Sequence, residues 1–147
     1  VYGEQGKYDL AIESFQKAIA IDPNLATAYN SLGLTYSSQG KYDLAIRFLQ
    51  KAIALDPNDA NAYNNLALAY YDQGKYDLAI ESYQKAIAIA PKSARSHYSL
   101  ARVYSIQDKK ALSIESLRKA ISLDKDSIGA AEMDSDFDIQ CNHRHAV

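Results

Sequence analysis

Apolar and polar positions follow one another along the chain with helical spacing. Tyr29, Leu32, Gly33 and Tyr36 fall at i, i+3, i+4 and i+7, one face of a helix. That spacing predicts a helix over 26–39. Gly40 stops it, because glycine takes the positive φ of a helix C-cap without steric cost. A second stripe, Tyr42, Ala45, Ile46, Leu49, Ala52 and Ile53, predicts a helix over 42–55. Asp56-Pro57-Asn58 ends it, since the residue before a proline is pushed out of the α region. Gly33, Ala45 and Ala52 are small on the inward faces, so two such helices can approach closely while Tyr and Leu fill the remaining space.

The same pattern recurs. Gln5–Ile12, Gln39–Ile46 and Gln73–Ile80 all read QGKYDLAI, 34 residues apart, and Gln107–Ile114 is an eroded fourth copy. A fixed period of this length marks a repeat array in which each unit buries its apolar face against its neighbours. Complete units run 26–59, 60–93 and 94–127, and residues 1–25 match the last 25 positions of an earlier one. The octapeptide is read as the hinge between the two helices of every unit. Further residues are expected upstream of Val1, because the chain starts within a repeat. Residues 128–147 leave the pattern. A short helix from Ile128 to about Met133, with Ser127 as N-cap, is expected to cover the end of the last unit, followed by a frayed tail with Phe137 and Ile139 as anchors.

Composition narrows the function classes. Apolar residues make up 48% and charged residues 23%, and the formal net charge is −2. That balance gives no general attraction to nucleic acid or to an anionic membrane surface, and no apolar run approaches the ~20 residues of a membrane-spanning helix. A single cysteine, Cys141, excludes an internal disulfide, and a reducing, cytoplasmic location is expected. Asp134, Asp136 and Asp138 alternate like the start of a calcium loop but lack its glycine and its closing glutamate. Cys141, His143 and His145 are three soft ligands without a fourth. No metal or other cofactor is expected. No nucleophile–base set, carboxylate pair or phosphate loop is present, so the reading is of a protein that is not an enzyme.

The spaced residues together resemble the tetratricopeptide repeat. Numbered within the unit, they are Tyr29 and Tyr63 at position 4, Leu32, Leu66 and Leu100 at 7, and Gly33, Ala67 and Ala101 at 8. Tyr2, Tyr36, Tyr70 and Tyr104 stand at 11, and Ala11, Ala45 and Ala79 at 20. Ala18, Ala52, Ala86 and Ala120 stand at 27, and Pro23, Pro57 and Pro91 at 32. The resemblance covers residues 1–127. The last unit departs from it: His97 stands at position 4, Asp108 replaces the turn glycine, Ser113 replaces alanine and Lys125 replaces proline. His97 is read as a packing substitute, and the tyrosine stripe as core. The resemblance implies an all-α, right-handed superhelical solenoid of antiparallel helix pairs.

It also implies a site. In the resembled family the first helices line a concave groove, with positions 2, 5, 9, 12 and 13 facing a partner peptide or helix. Carried over with their immediate neighbours, the partner-binding candidates are Asn30, Leu34, Asn61, Asn64, Asn65, Leu68, Tyr71, Arg95, Tyr98 and Arg102. These positions differ between the copies while the inward positions hardly change. Asparagine amides can serve both polar groups of an extended backbone. Arg95 and Arg102 lie two helical turns apart and suit a partner with an acidic patch. Asn65 and Arg95 match the carboxylate clamp of some co-chaperone members, whereas Asn30, Leu34 and Ser99 stand where basic or amide residues would complete it. The primary expectation is a protein–protein interaction scaffold. The alternatives are a regulatory, substrate-presenting segment of a larger enzyme or signalling protein, and a self-assembling module. The last would associate weakly through the apolar edge of Ile12, Phe15 and Ile19.

Overall fold

The computed structural model describes residues 2–123, and these form seven α-helices. They are α1 (Tyr2–Ile21), α2 (Ala26–Ser38), α3 (Tyr42–Leu55), α4 (Ala60–Asp72), α5 (Tyr76–Ile89), α6 (Ala94–Ile106) and α7 (Lys110–Leu123). No strand occurs among the described residues. The expected capping helix, the alternating aspartates and the Cys141–His145 cluster lie outside them. The chain divides between Ala79 and Ile80 into two compact units, and each is considered by itself.

In the first unit α2 packs on α1 and on α3, and α3 packs on α4. Leu32 and Leu49 are 1% and 0% exposed, and burying such a side chain is worth roughly 1.5–3 kcal/mol. Ala45, Ile46, Leu49, Leu66 and Ala69 form one cluster, edged by Tyr36, Ile53 and Tyr70. The expected inward stripe of α3 is thus the observed one. In the second unit α6 packs on α7, burying Leu100, Ala101, Val103, Tyr104 and Ala120.

The turns explain how the last unit tolerates its departures. Gly40 and Gly74 sit at φ 78° and 77°. The N–H of Lys41 bonds the Tyr36 carbonyl and that of Lys75 the Tyr70 carbonyl, both at 2.9 Å. This is the Schellman closure of a helix C-terminus. Asp108 takes the same left-handed conformation at φ 59°, and Lys109 closes on Tyr104 at 2.9 Å. Aspartate is among the few L-residues that visit this region at modest cost. Ser113 is fully buried, and its hydroxyl donates to the Ala101 carbonyl at 2.9 Å, so the added polar atom is satisfied.

One expectation fails. The first QGKYDLAI copy is not a hinge: Gln5 and Gly6 lie inside the continuous 20-residue helix α1. Helix propagation prevails across Gly6, and the backbone there makes no turn of the kind seen at Gly40 and Gly74.

Candidate functional site

The candidate residues fall on the first helix of each pair. In the first unit α2 carries Asn30 half-buried and Leu34 at 44% exposure. Helix α4 carries Asn61 exposed, and Leu68 and Tyr71 half-buried. Asn64 and Asn65 are both buried, which sequence spacing did not indicate. For Asn65 the reason is the packing of α2 on α4. Asn65 Nδ2 donates to Asn30 Oδ1 at 2.9 Å, joining the two helices. Asn64 also interacts within the protein. The bond uses the Asn30 oxygen and one Asn65 N–H, and leaves outside that pair both N–H donors of Asn30 and the oxygen and second N–H of Asn65. Tyr71 meets Tyr76 edge to face, centroids 5.8 Å apart and planes at 62°, which sets the end of α4 against the start of α5.

In the second unit the candidates lie on α6. Arg95 is exposed, and Tyr98 and Arg102 are half-buried. Both Tyr98 and Arg102 already interact within the protein. The two arginines are therefore not equivalent: Arg95 presents its guanidinium to solvent, whereas Arg102 is held in place. Around them Ser99 is half-buried and Ile106 is 38% exposed. Helix α6 is capped by Ser93, whose side chain accepts from Ser96 N–H at 3.4 Å. Helix α4 is capped by Asp59, which accepts from Asn61 N–H at 3.0 Å. Such caps fix the first turn of α4 and of α6.

Two aromatic arrangements stand outside the expected set. In the first unit Phe48 stacks on Tyr36 (5.4 Å, 10°) and on Tyr29 (6.4 Å, 27°). In the second unit an open groove of about 600 Å³ lies between α6 and α7, bordered by His97, Leu100, Tyr104, Leu112 and Ser116 among others. The signal for both was in the repeat register. Position 23 reads Ser14, Phe48, Ser82 and Ser116. His97 keeps the role of its tyrosine counterpart: its Nε2 lies 3.0 Å from the Pro91 carbonyl, as the Tyr29 hydroxyl donates to the Pro23 carbonyl at 3.2 Å.

Among the described residues no cluster of metal-ligating side chains occurs, and no helix is long and apolar enough to cross a membrane. The apolar residues of α1 expected to lack cover, Ile12, Phe15 and Ile19, are half-buried, while Leu10 and Ile21 are 66% and 87% exposed.

Comparison with known proteins agrees with this architecture. The tetratricopeptide repeat profile matches residues 30–94 and again 64–128, and a second profile of the same repeat matches residues 1–40. No curated protein matches the chain. Among solved structures, a crystal structure of MamA superposes with a TM-score of 0.82 at 30% identity, over 96% of this chain and 81% of MamA. A second MamA structure gives 0.75 at 33% identity, over 87% and 70%. MamA from Desulfovibrio magneticus RS-1 gives 0.75 at 28%, over 84% and 70%. From its repeated helix pairs, its Schellman hinges and these matches, the chain belongs to the tetratricopeptide repeat family, an all-α solenoid class.

Proposed function

We propose that this protein is a non-catalytic interaction scaffold that takes partner peptides on the outward faces of its first helices. Arrays of this family mediate protein–protein contacts in general, and the finer assignment rests on one observation. Buried positions such as 7, 20 and 27 are nearly invariant among the copies, while the exposed positions of α2, α4 and α6 differ in charge, size and polarity. A surface shaped only by stacking has no need of that contrast.

In the first unit Leu34, Leu68 and Tyr71 supply apolar contact. Asn61 and the remaining valences of the Asn30–Asn65 pair orient a backbone. In the second unit Arg95 attracts an acidic stretch, with Arg102 and Tyr98 as its fixed backing. Charge-assisted bonds to a carboxylate are the strong ones at such a surface.

The test uses fluorescein-labelled peptides of alternating leucine and glutamate, with leucine–lysine peptides as control. Arg95→Ala is expected to weaken the acidic peptide several-fold at low salt and to flatten its salt dependence. Adding Arg102→Ala is expected to deepen the loss. Unchanged affinity and salt slope in both variants would sink the assignment.

A further inference from the structure

The repeat supplies its own control for the α6–α7 groove. In the first unit the niche between positions 4 and 11 is filled by a ring of the chain itself. Phe48 lies against Tyr29 and Tyr36, with the Lys51 ammonium 6.0 Å from the Tyr29 ring and Lys41 5.9 Å from the Tyr36 ring. Aromatic pairs at these separations gain beyond the area they bury, and cations over ring faces add to it. The first unit therefore shows what this niche holds: a flat ring, with positive charge near it.

In the second unit position 23 is Ser116, and the ring is gone while its walls remain. His97 and Tyr104 lie one above the other, seven residues apart on α6. His97 is tied to the Pro91 carbonyl, and the Tyr104 hydroxyl accepts from Gln84 Nε2 at 3.3 Å, as Tyr70 accepts from Gln50 in the first unit at 3.5 Å. Leu100, 6% exposed, forms the floor and Leu112, 44% exposed, a flank. The groove's volume of about 600 Å³ lies in the range of ligand sites, ~300–1,000 Å³. Walls held this way need little reordering on binding. The rim carries Arg118 and Lys119 against Glu115, a local positive balance in a chain whose net charge is −2. Lys119 occupies the register of Lys51, the cation over the Tyr29 ring.

We propose that this groove is a recognition slot for an aromatic side chain flanked by carboxylates, presented by a partner protein. The ring takes the place that Phe48 takes in the first unit, between His97 and Tyr104 and over Leu100. The neighbouring carboxylates meet Arg118 and Lys119. The slot is separate from the α6 face that carries Arg95, so it does not rest on the function proposed above.

The test is fluorescence polarisation of the full chain with a labelled peptide, Gly-Asp-Asp-Phe-Asp-Gly, and its alanine-for-phenylalanine counterpart. The phenylalanine peptide is expected to bind and the alanine peptide to bind roughly tenfold or more weakly. Ser116→Phe installs the missing ring, so it is expected to abolish the difference while circular dichroism shows the melting point unchanged or raised. Arg118→Glu with Lys119→Glu is expected to weaken the phenylalanine peptide without unfolding the chain. Equal binding of the two peptides, or full binding to Ser116→Phe, would overturn the proposal. The chain's own Asp136-Phe137-Asp138 has the same chemistry. If the peptide binds only after Phe137→Ala, the occupant is that segment and the assignment to a partner is overturned.

Discussion

At the scale of single residues, Gly33 shows how closely the helix pairs are fitted. A Cβ added there would come 2.5 Å from Leu49 Cγ, 2.9 Å from Leu49 Cδ2 and 3.2 Å from the Ala45 carbonyl oxygen. Leu49 and Ala45 are both 0% exposed, so neither has space to withdraw. Helix propensity favours alanine over glycine by about 1 kcal/mol, while forcing a methyl into a filled core costs ~1–3 kcal/mol. The steric cost prevails, and Gly33→Ala is expected to lower the melting temperature by about 3 °C, although Ala67 and Ala101 occupy this position elsewhere. A melting temperature at or above that of the unchanged chain would show that Leu49 moves aside freely. The need for a small residue here was legible in the sequence; its contact with Leu49 was not, since that depends on which rotamer the facing helix allows. The burial of Asn64 and Asn65 was hidden for a related reason. Register alone does not say which neighbour covers a helix face, and it is the approach of α2, sealed by the Asn30–Asn65 bond, that takes Asn65 out of solvent.

At the scale of elements, one octapeptide has two structures. QGKYDLAI is a Schellman hinge at Gln39 and at Gln73 and part of a straight helix at Gln5. Periodicity located α2 to α6 within a residue or so, because α2, α3 and α4 are bracketed by a glycine or an aspartate-proline stop and α5 and α6 keep a glycine or a proline on at least one side; it misjudged α1, because identical local sequence was given identical meaning. The conformational difference sets the sign of a single substitution. In α1, where nothing lies within 4 Å of the Cβ position, Gly6→Ala is expected to stabilise the helix by about 1 kcal/mol. At Gly40 or Gly74, held at positive φ, the same change is expected to cost about 1–2 kcal/mol. Urea unfolding of the three variants checks this. A loss of stability in Gly6→Ala comparable to the other two would mean that the first copy is hinged after all. Asp108 shows that glycine is the preferred residue at such a hinge rather than an obligatory one, for it holds φ 59° with the same backbone closure.

At the scale of the whole molecule, a repeat array distributes its stability through neighbour contacts, so elements with fewer buried contacts open first. Helix α1 is the longest element among the described residues at 20 residues, yet none of its described side chains is fully buried, and Leu10 and Ile21 stand largely in solvent. In a folded protein most of a helix's stability comes from packing its apolar face rather than from its length. Helices α3 and α4 instead share the cluster of Ala45, Ile46, Leu49, Leu66 and Ala69. Local opening of the first turns of α1 is therefore expected to require only ~0–2 kcal/mol, while amides of α3 and α4 exchange through events approaching the global value, roughly 5–15 kcal/mol for a domain. Hydrogen exchange followed by mass spectrometry reads this directly. Peptides covering residues 2–10 are expected to exchange in seconds to minutes, and those covering 45–52 and 62–69 over hours. The hydrogen bonds inside α1 are of the same kind as those inside α3, so protection that differs between them reports packing rather than helicity. Protection of α1 equal to that of α3 would mean that its apolar stripe is covered in solution by another surface, with Leu10 and Ile21 as the first residues to test for that contact.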